Sequence, residues 1–202
     1  MTAPTLTRGQ LVSRGVKGGA ALLVAGTAVA GLAEGAAADP LPLADLAYAR
    51  LLVAAELLAS DFYEQAVAAS NTSPAVTAYL KRAYANEQEH YQSVAGILSG
   101  AGVTPAVSAD IDYTYPKGAF ATEKSILKLA QQLETTMLGS YLGAIGGMQT
   151  SSFKQGLARI AASEAQHLSY MWTRNGGHAF NTAFPPALTI DQASAAMDAF
   201  TA

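Results

Sequence analysis

Two short segments, "NEQEH" at 86–90 and "SEAQH" at 163–167, each set a glutamate and a histidine three residues apart: Glu87 with His90, and Glu164 with His167. On a helix such a pair shares one face. The neighbours on those faces are apolar: Ala83, Val94 and Ile97 in the first, Ile160 and Met171 in the second. Two more glutamates sit on apolar stripes, Glu56 among Leu52, Ala59 and Tyr63, and Glu134 among Ala130, Met137 and Tyr141. The spacing repeats. Glu56 to Glu134 is 78 positions, while Glu87 to Glu164 and His90 to His167 are each 77. Tyr63 and Tyr141 follow their glutamates by seven, and Arg82 and Arg159 precede theirs by five. The two halves read as copies of one helical hairpin related by a pseudo-two-fold axis.

Four carboxylates facing one core repel each other and lose their hydration, so cations must compensate. Two divalent ions balance the four Glu charges with both His neutral. Oxygen and imidazole donors suit Fe and Mn, and such mixed sites also take Zn. One Glu from each of two helices and Glu-x-x-His from each of the other two is the pattern of ferritin-like di-metal carboxylate sites, and this sequence fills all six positions. The expected ligands are Glu56, Glu87, His90, Glu134, Glu164 and His167, with Glu87 and Glu164 bridging and Glu56 and Glu134 terminal. The expected cofactor is two metal ions, Fe first and Mn as the alternative. Tyr63 and Tyr141 read first as core packing, with hydrogen bonding to the ligands or radical formation as alternatives. Arg82 and Arg159 lie off the site face and read as ion-pair partners of Asp61 or Glu64. His178 follows a Gly pair and reads as exposed, and Glu89 as a solvated charge.

The elements that must position these residues are helical. The pattern predicts a helix over 43–70, a turn at "NTSP" with Ser73 as N-cap and Pro74 at the first helical position, and a second helix to Leu98 that stops at "SGAG". A long connection over 99–121 leads to a third helix over 122–145, and "QTSS" opens a fourth over 152–173. A short final helix fits 190–200. Short turns make antiparallel neighbours. The expected fold is therefore all-α, a four-helix bundle of ferritin-like topology with one long crossover between helices 2 and 3, plus a short C-terminal helix.

Composition agrees. The chain has 202 residues, half of them hydrophobic, enough for one domain with a sizeable core. Without Cys there can be no disulfide, thiolate metal site or iron–sulfur cluster. A net charge of -3 gives no footprint for nucleic acid. Residues 1–38 differ in kind: Arg8, Arg14 and Lys17 precede an Ala/Gly-rich apolar run, and "GAAAD" offers a cleavage site after Ala38. That order matches a bacterial export signal. "SRGVK" has one Arg where a twin-arginine leader has two, so the route stays open, and membrane association is expected only if the leader is uncleaved. The expected domain is 39–202, located in the periplasm or cell envelope. Removing the leader takes three of the 12 basic and one of the 15 acidic residues, which leaves 9 against 14.

"ELLASDFYEQAV", "LETTMLGSYLGAI" and "AFPPALTIDQASAAMDAF" resemble segments of the bacterial ferritin-like domain family that includes plant desiccation-related proteins. The resemblance covers most of 43–200 and implies the same six ligands. Ala59 stands where relatives often carry a second Glu, which removes an accessory carboxylate on that helix. Three functional classes stay open. One is a dinuclear redox protein acting on O2, H2O2 or Fe(II), as an oxidase, peroxidase, catalase-type enzyme or ferroxidase. The others are iron storage, and a non-enzymatic stress- or desiccation-related envelope protein with a structural metal. An oligomer also stays open.

Overall fold

A computed structural model describes residues 40–179 and 182–200, so the expected leader lies outside the described residues. The fold is the expected one. Four long helices, α1 (Leu43–Ala68), α2 (Pro74–Gly100), α3 (Glu123–Gly147) and α4 (Ser151–Arg174), form two antiparallel hairpins, and a short α5 (Ile190–Asp198) follows. Among the described residues there is no strand, and no helix is long and apolar enough to cross a membrane.

Burial divides the helices into two kinds. From Leu51 to Ala59 every residue of α1 is buried, and most of α3 from Ile126 to Ala144 is too. Both are apolar on nearly all sides, as inner helices must be. The outer helices bury only stripes at helical spacing: Val76, Leu80, Ala83, Glu87 and Val94 on α2, and Leu157, Ile160, Glu164, His167 and Met171 on α4. Packing is heaviest within the hairpins, α1 on α2 and α3 on α4, and the inner α1 and α3 join them. The outer α2 and α4 scarcely meet.

The ends have identifiable causes. Helix α1 stops at Ala68, two residues before the expected end, because Ser70 adopts a left-handed φ of 54°. Pro74 opens α2 as expected, but the Ser73 hydroxyl makes no cap bond; its backbone N–H instead donates to Glu123 Oε2 at 2.6 Å. Glu123 also pairs with Arg174 at 2.9 Å, so one carboxylate ties together the starts of α2 and α3 and the end of α4. Thr122 and Ser125 form a reciprocal capping box on α3. The start of α4 is capped from a distance. The buried Asp45 of α1 accepts from the backbone N–H of Gln149 at 2.6 Å and of Thr150 at 2.9 Å.

The long crossover is fastened to the bundle. Tyr91 donates to the Ala106 carbonyl, Tyr115 donates to Asp61, and the rings of Tyr115 and Phe120 pack on Phe62. Just before α5, the segment around Leu188 lies across α3, with Leu188 N–H donating to the Gly139 carbonyl at 2.9 Å. A Cβ built on Gly143 would stand 1.8 Å from the Leu188 carbonyl oxygen, so the close approach requires glycine there.

Candidate metal centre

Each helix of the bundle contributes to one cluster at mid-height. Glu56 comes from α1, Glu87 and His90 from α2, Glu134 from α3, and Glu164 and His167 from α4. All six expected residues come together. The four glutamates are fully buried, His167 is 4% exposed, and the His90 side chain is 12% exposed. The local reason is the inward stripe: an i, i+3 pair on an outer helix delivers both its carboxylate and its imidazole to the same interior face.

The atoms form two overlapping groups. In one, ligand atoms of Glu56, Glu87, His90 and Glu164 lie within 4.8 Å of one another; in the other, those of Glu87, Glu134, Glu164 and His167 do. Glu87 and Glu164 belong to both. His90 Nδ1 lies 2.8 Å from Glu164, 3.2 Å from Glu87 and 3.9 Å from Glu56. His167 Nδ1 lies 3.0 Å from Glu87 and 3.5 Å from both Glu134 and Glu164.

Proximity does not satisfy these groups. Glu56 Oε2, Glu87 Oε1, Glu134 Oε2, both Glu164 oxygens and His167 Nδ1 are buried without a hydrogen-bond partner. Of the imidazole–carboxylate approaches, the 3.2 Å one from His90 Nδ1 to Glu87 Oε2 has hydrogen-bond geometry, and the orphaned atoms are left gathered around shared space. A buried polar atom left unpaired costs roughly 1–3 kcal/mol, more if charged. Orphaned oxygen and imidazole donors around common points are what hard and borderline cations require, so the residues present fit metal ions.

Electrostatics agree. Burial pushes the Glu56 carboxyl well above its usual range, and the charges of Glu87 and Glu164 push it further. Burial raises Glu134 to about 7, against the pull of His167 and with the push of Glu164. For His90 burial acts downward, but the Glu164 and Glu87 carboxylates outweigh it and lift the imidazole to about 9. His167 is driven up in the same way, chiefly by Glu134 against its own burial. Without metal, protons on the imidazoles and on carboxyls serve as the countercharge.

The surrounding residues were only partly foreseen. Tyr63 on α1 donates to Glu134 Oε1 on α3, and Tyr141 on α3 donates to Glu56 Oε1 on α1. Both tyrosines are fully buried, yet they are hydrogen-bond donors to the site and not packing alone. Their seven-residue offset from Glu56 and Glu134 was the signal, since two helical turns keep a residue on the same face. Asn86, which sequence reasoning passed over, places its side-chain amide 3.1 Å from His167 Nε2. Its repeat counterpart is Ser163, so no repeated residue marked it.

Arg82 and Arg159 are exposed, and neither takes Asp61, which accepts instead from Gln65 at 2.7 Å and Tyr115 at 2.7 Å. His178 and Glu89 are exposed, as expected.

The ferritin-like domain family model matches residues 44–176, which span all six residues of the cluster. A comparison with curated proteins finds no match.

Proposed function

Since the chain belongs to the ferritin-like domain family, we propose that its bundle holds two redox-active metal ions, iron first and manganese as the alternative, and acts on O2, H2O2 or Fe(II). The observation that carries this reading is the sharing of Glu87 and Glu164 between the two donor groups. A carboxylate common to two groups can bridge two ions and hold them close. Glu56 with His90, and Glu134 with His167, would then complete the two halves as terminal ligands.

When bound, such a metal pair supplies electron transfer to or from a small oxidant or Fe(II). The chain's own groups prepare the site. Tyr63 and Tyr141 each hold Oε1 of a terminal carboxylate across the bundle, and Oε2 of each is left buried without a hydrogen-bond partner. Asn86 fixes the His167 ring from outside. The amide nitrogen of Asn86 lies toward Nε2; with the amide turned over, its oxygen would accept from Nε2–H and the neutral tautomer would present the Nδ1 lone pair to the carboxylate side. Because the buried His and Glu groups hold protons without metal, uptake of metal must release them, and binding tightens as pH rises. We also infer export to the periplasm or cell envelope. Support for it is the basic start, apolar run and small-residue cleavage site of 1–38.

Elemental analysis of protein purified without chelator should find about two ions per chain. Absorbance changes on adding Fe(II) or peroxide then report turnover. A content that stays below one ion per chain after reconstitution with Fe(II) or Mn(II) would overturn the paired site. Full metal content with no turnover would overturn the redox role and leave a structural metal.

A further inference from the structure

The seam between α2 and α4 is the least packed side of the bundle, and a cavity of about 500 Å3 opens there. His167 lines its inner end, so the cavity reaches the imidazole whose Nδ1 faces the carboxylate cluster. Tyr79 and Tyr170 line it as a stacked pair, their ring centroids 3.5 Å apart and their planes 6° from parallel. Arg82 stands at the exposed side, and no ion pair is made by it among the described residues. The Asn86 and Gln166 amides and the Ser163 hydroxyl add neutral polar groups, and no carboxylate lines the cavity.

The internal repeat makes the composition of this cavity informative. The 77-residue offset relates Arg82 to Arg159, but Tyr79 to Gly156, Tyr170 to Ser93, and Gln166 to Glu89. At the counterpart positions the ring pair is missing and an acidic residue stands in place of an amide. The cavity is thus not a by-product of the duplicated hairpin. Its aromatic wall and its lack of acid belong to one half alone.

We propose that this cavity binds a small planar organic carboxylate, its carboxylate on the Arg82 guanidinium and its flat body against Tyr79 and Tyr170. A guanidinium presents a planar fork of donors that matches a carboxylate, and stacked rings offer a flat apolar surface beside it. A cavity of this size lies within the range of small-molecule sites. Binding of the anion stands on the cavity alone. That the ligand is the substrate of the metal centre rests on the function proposed above, through the position of His167. The two are linked by charge. At a pH where the metal-free cluster has lost its protons, its carboxylates disfavour a nearby anion and two divalent ions cancel them, so there metal loading strengthens anion binding and the anion strengthens metal binding equally.

Isothermal titration of Mn(II)-loaded protein with benzoate tests this, with benzamide as the neutral isostere and inorganic phosphate as a compact anion. The expected result is saturable benzoate binding, at least tenfold stronger than that of benzamide or phosphate. Arg82→Gln should weaken it at least tenfold and Arg159→Gln should leave it unchanged, both variants keeping the wild-type melting temperature. Equal affinity for benzamide would overturn the anion. Equal affinity for phosphate would overturn the flat body, and an unaffected Arg82→Gln would overturn the assigned residue. Metal content measured on the same samples separates the two readings. Wild type that holds its metal but ignores benzoate overturns this inference only, and wild type that holds no metal overturns the proposed function.

Discussion

Stripping metal with a chelator and then raising the pH should weaken the bundle, because Glu56, Glu134, His90 and His167 are all raised, and Glu134 gives a share of the loss that can be worked out. Its carboxyl is raised from 4.5 to about 7, with burial as the largest cause. The folded chain therefore holds this proton more tightly than the unfolded chain does. The associated stability is fully present below pH 4.5 and is lost as pH rises through about 7. At about 1.36 kcal/mol for each pH unit between those values, the loss is on the order of 3 kcal/mol. His90 acts in the same sense. Its imidazole is raised from 6.5 to about 9, so its contribution is present below 6.5 and is lost as pH rises through 9. Asp45 and Glu123 are held below their ordinary values and act oppositely, but in the acid range below this window. Urea unfolding followed by circular dichroism, in chelator at pH 5, 6, 7 and 8, measures the effect. Glu134→Gln keeps the side-chain volume and an oxygen for Tyr63 but cannot titrate. Its stability should fall less between pH 5 and 7 than that of the wild type, leaving the losses of Glu56, His90 and His167. Metal-free stability that is flat or rising from pH 5 to 8, or a variant with the wild-type slope, would refute the reasoning.

Three further outcomes are expected. Glu87→Ala should abolish paired metal binding and most of the metal-dependent rise in melting temperature, whereas Glu89→Ala, exposed two residues away, should do neither; equal metal content in the two variants would count against the inward face of α2. Gly143→Ala should cost about 1–3 kcal/mol in thermal melts, because the new methyl meets the Leu188 backbone. Gly96→Ala, near the C-terminal end of α2 with nothing within 4 Å of the new Cβ, should instead gain roughly 0.5–1 kcal/mol. N-terminal sequencing of protein recovered from the cell envelope should begin at Asp39; an intact Met1 or Thr2 start on cytoplasmic protein would sink the export inference.

What the sequence by itself determined is local and periodic. Helical spacing placed the four long helices to within two residues of their observed ends, and the same spacing put Glu56, Glu87, His90, Glu134, Glu164 and His167 on inward faces. A charge on an apolar stripe is visible without coordinates, because i, i+3 and i+4 neighbours share a face whatever the helix packs against. The tertiary structure decided which inward groups meet. Tyr63 and Tyr141 each cross to the glutamate of the other inner helix, over 71 and 85 residues of sequence, instead of serving their own. The start of α4 is capped by Asp45 from more than a hundred residues away, while the adjacent Ser73 hydroxyl caps nothing on α2. Arg82 leaves Asp61 to Tyr115 and stands at a cavity. Gly143 reads as a weak helix former until Leu188 is seen lying on it. Each of these depends on the rotation and offset of one helix against another, or on where a loop returns. Those quantities are fixed by the packing of the whole core, and no window of neighbouring residues contains them.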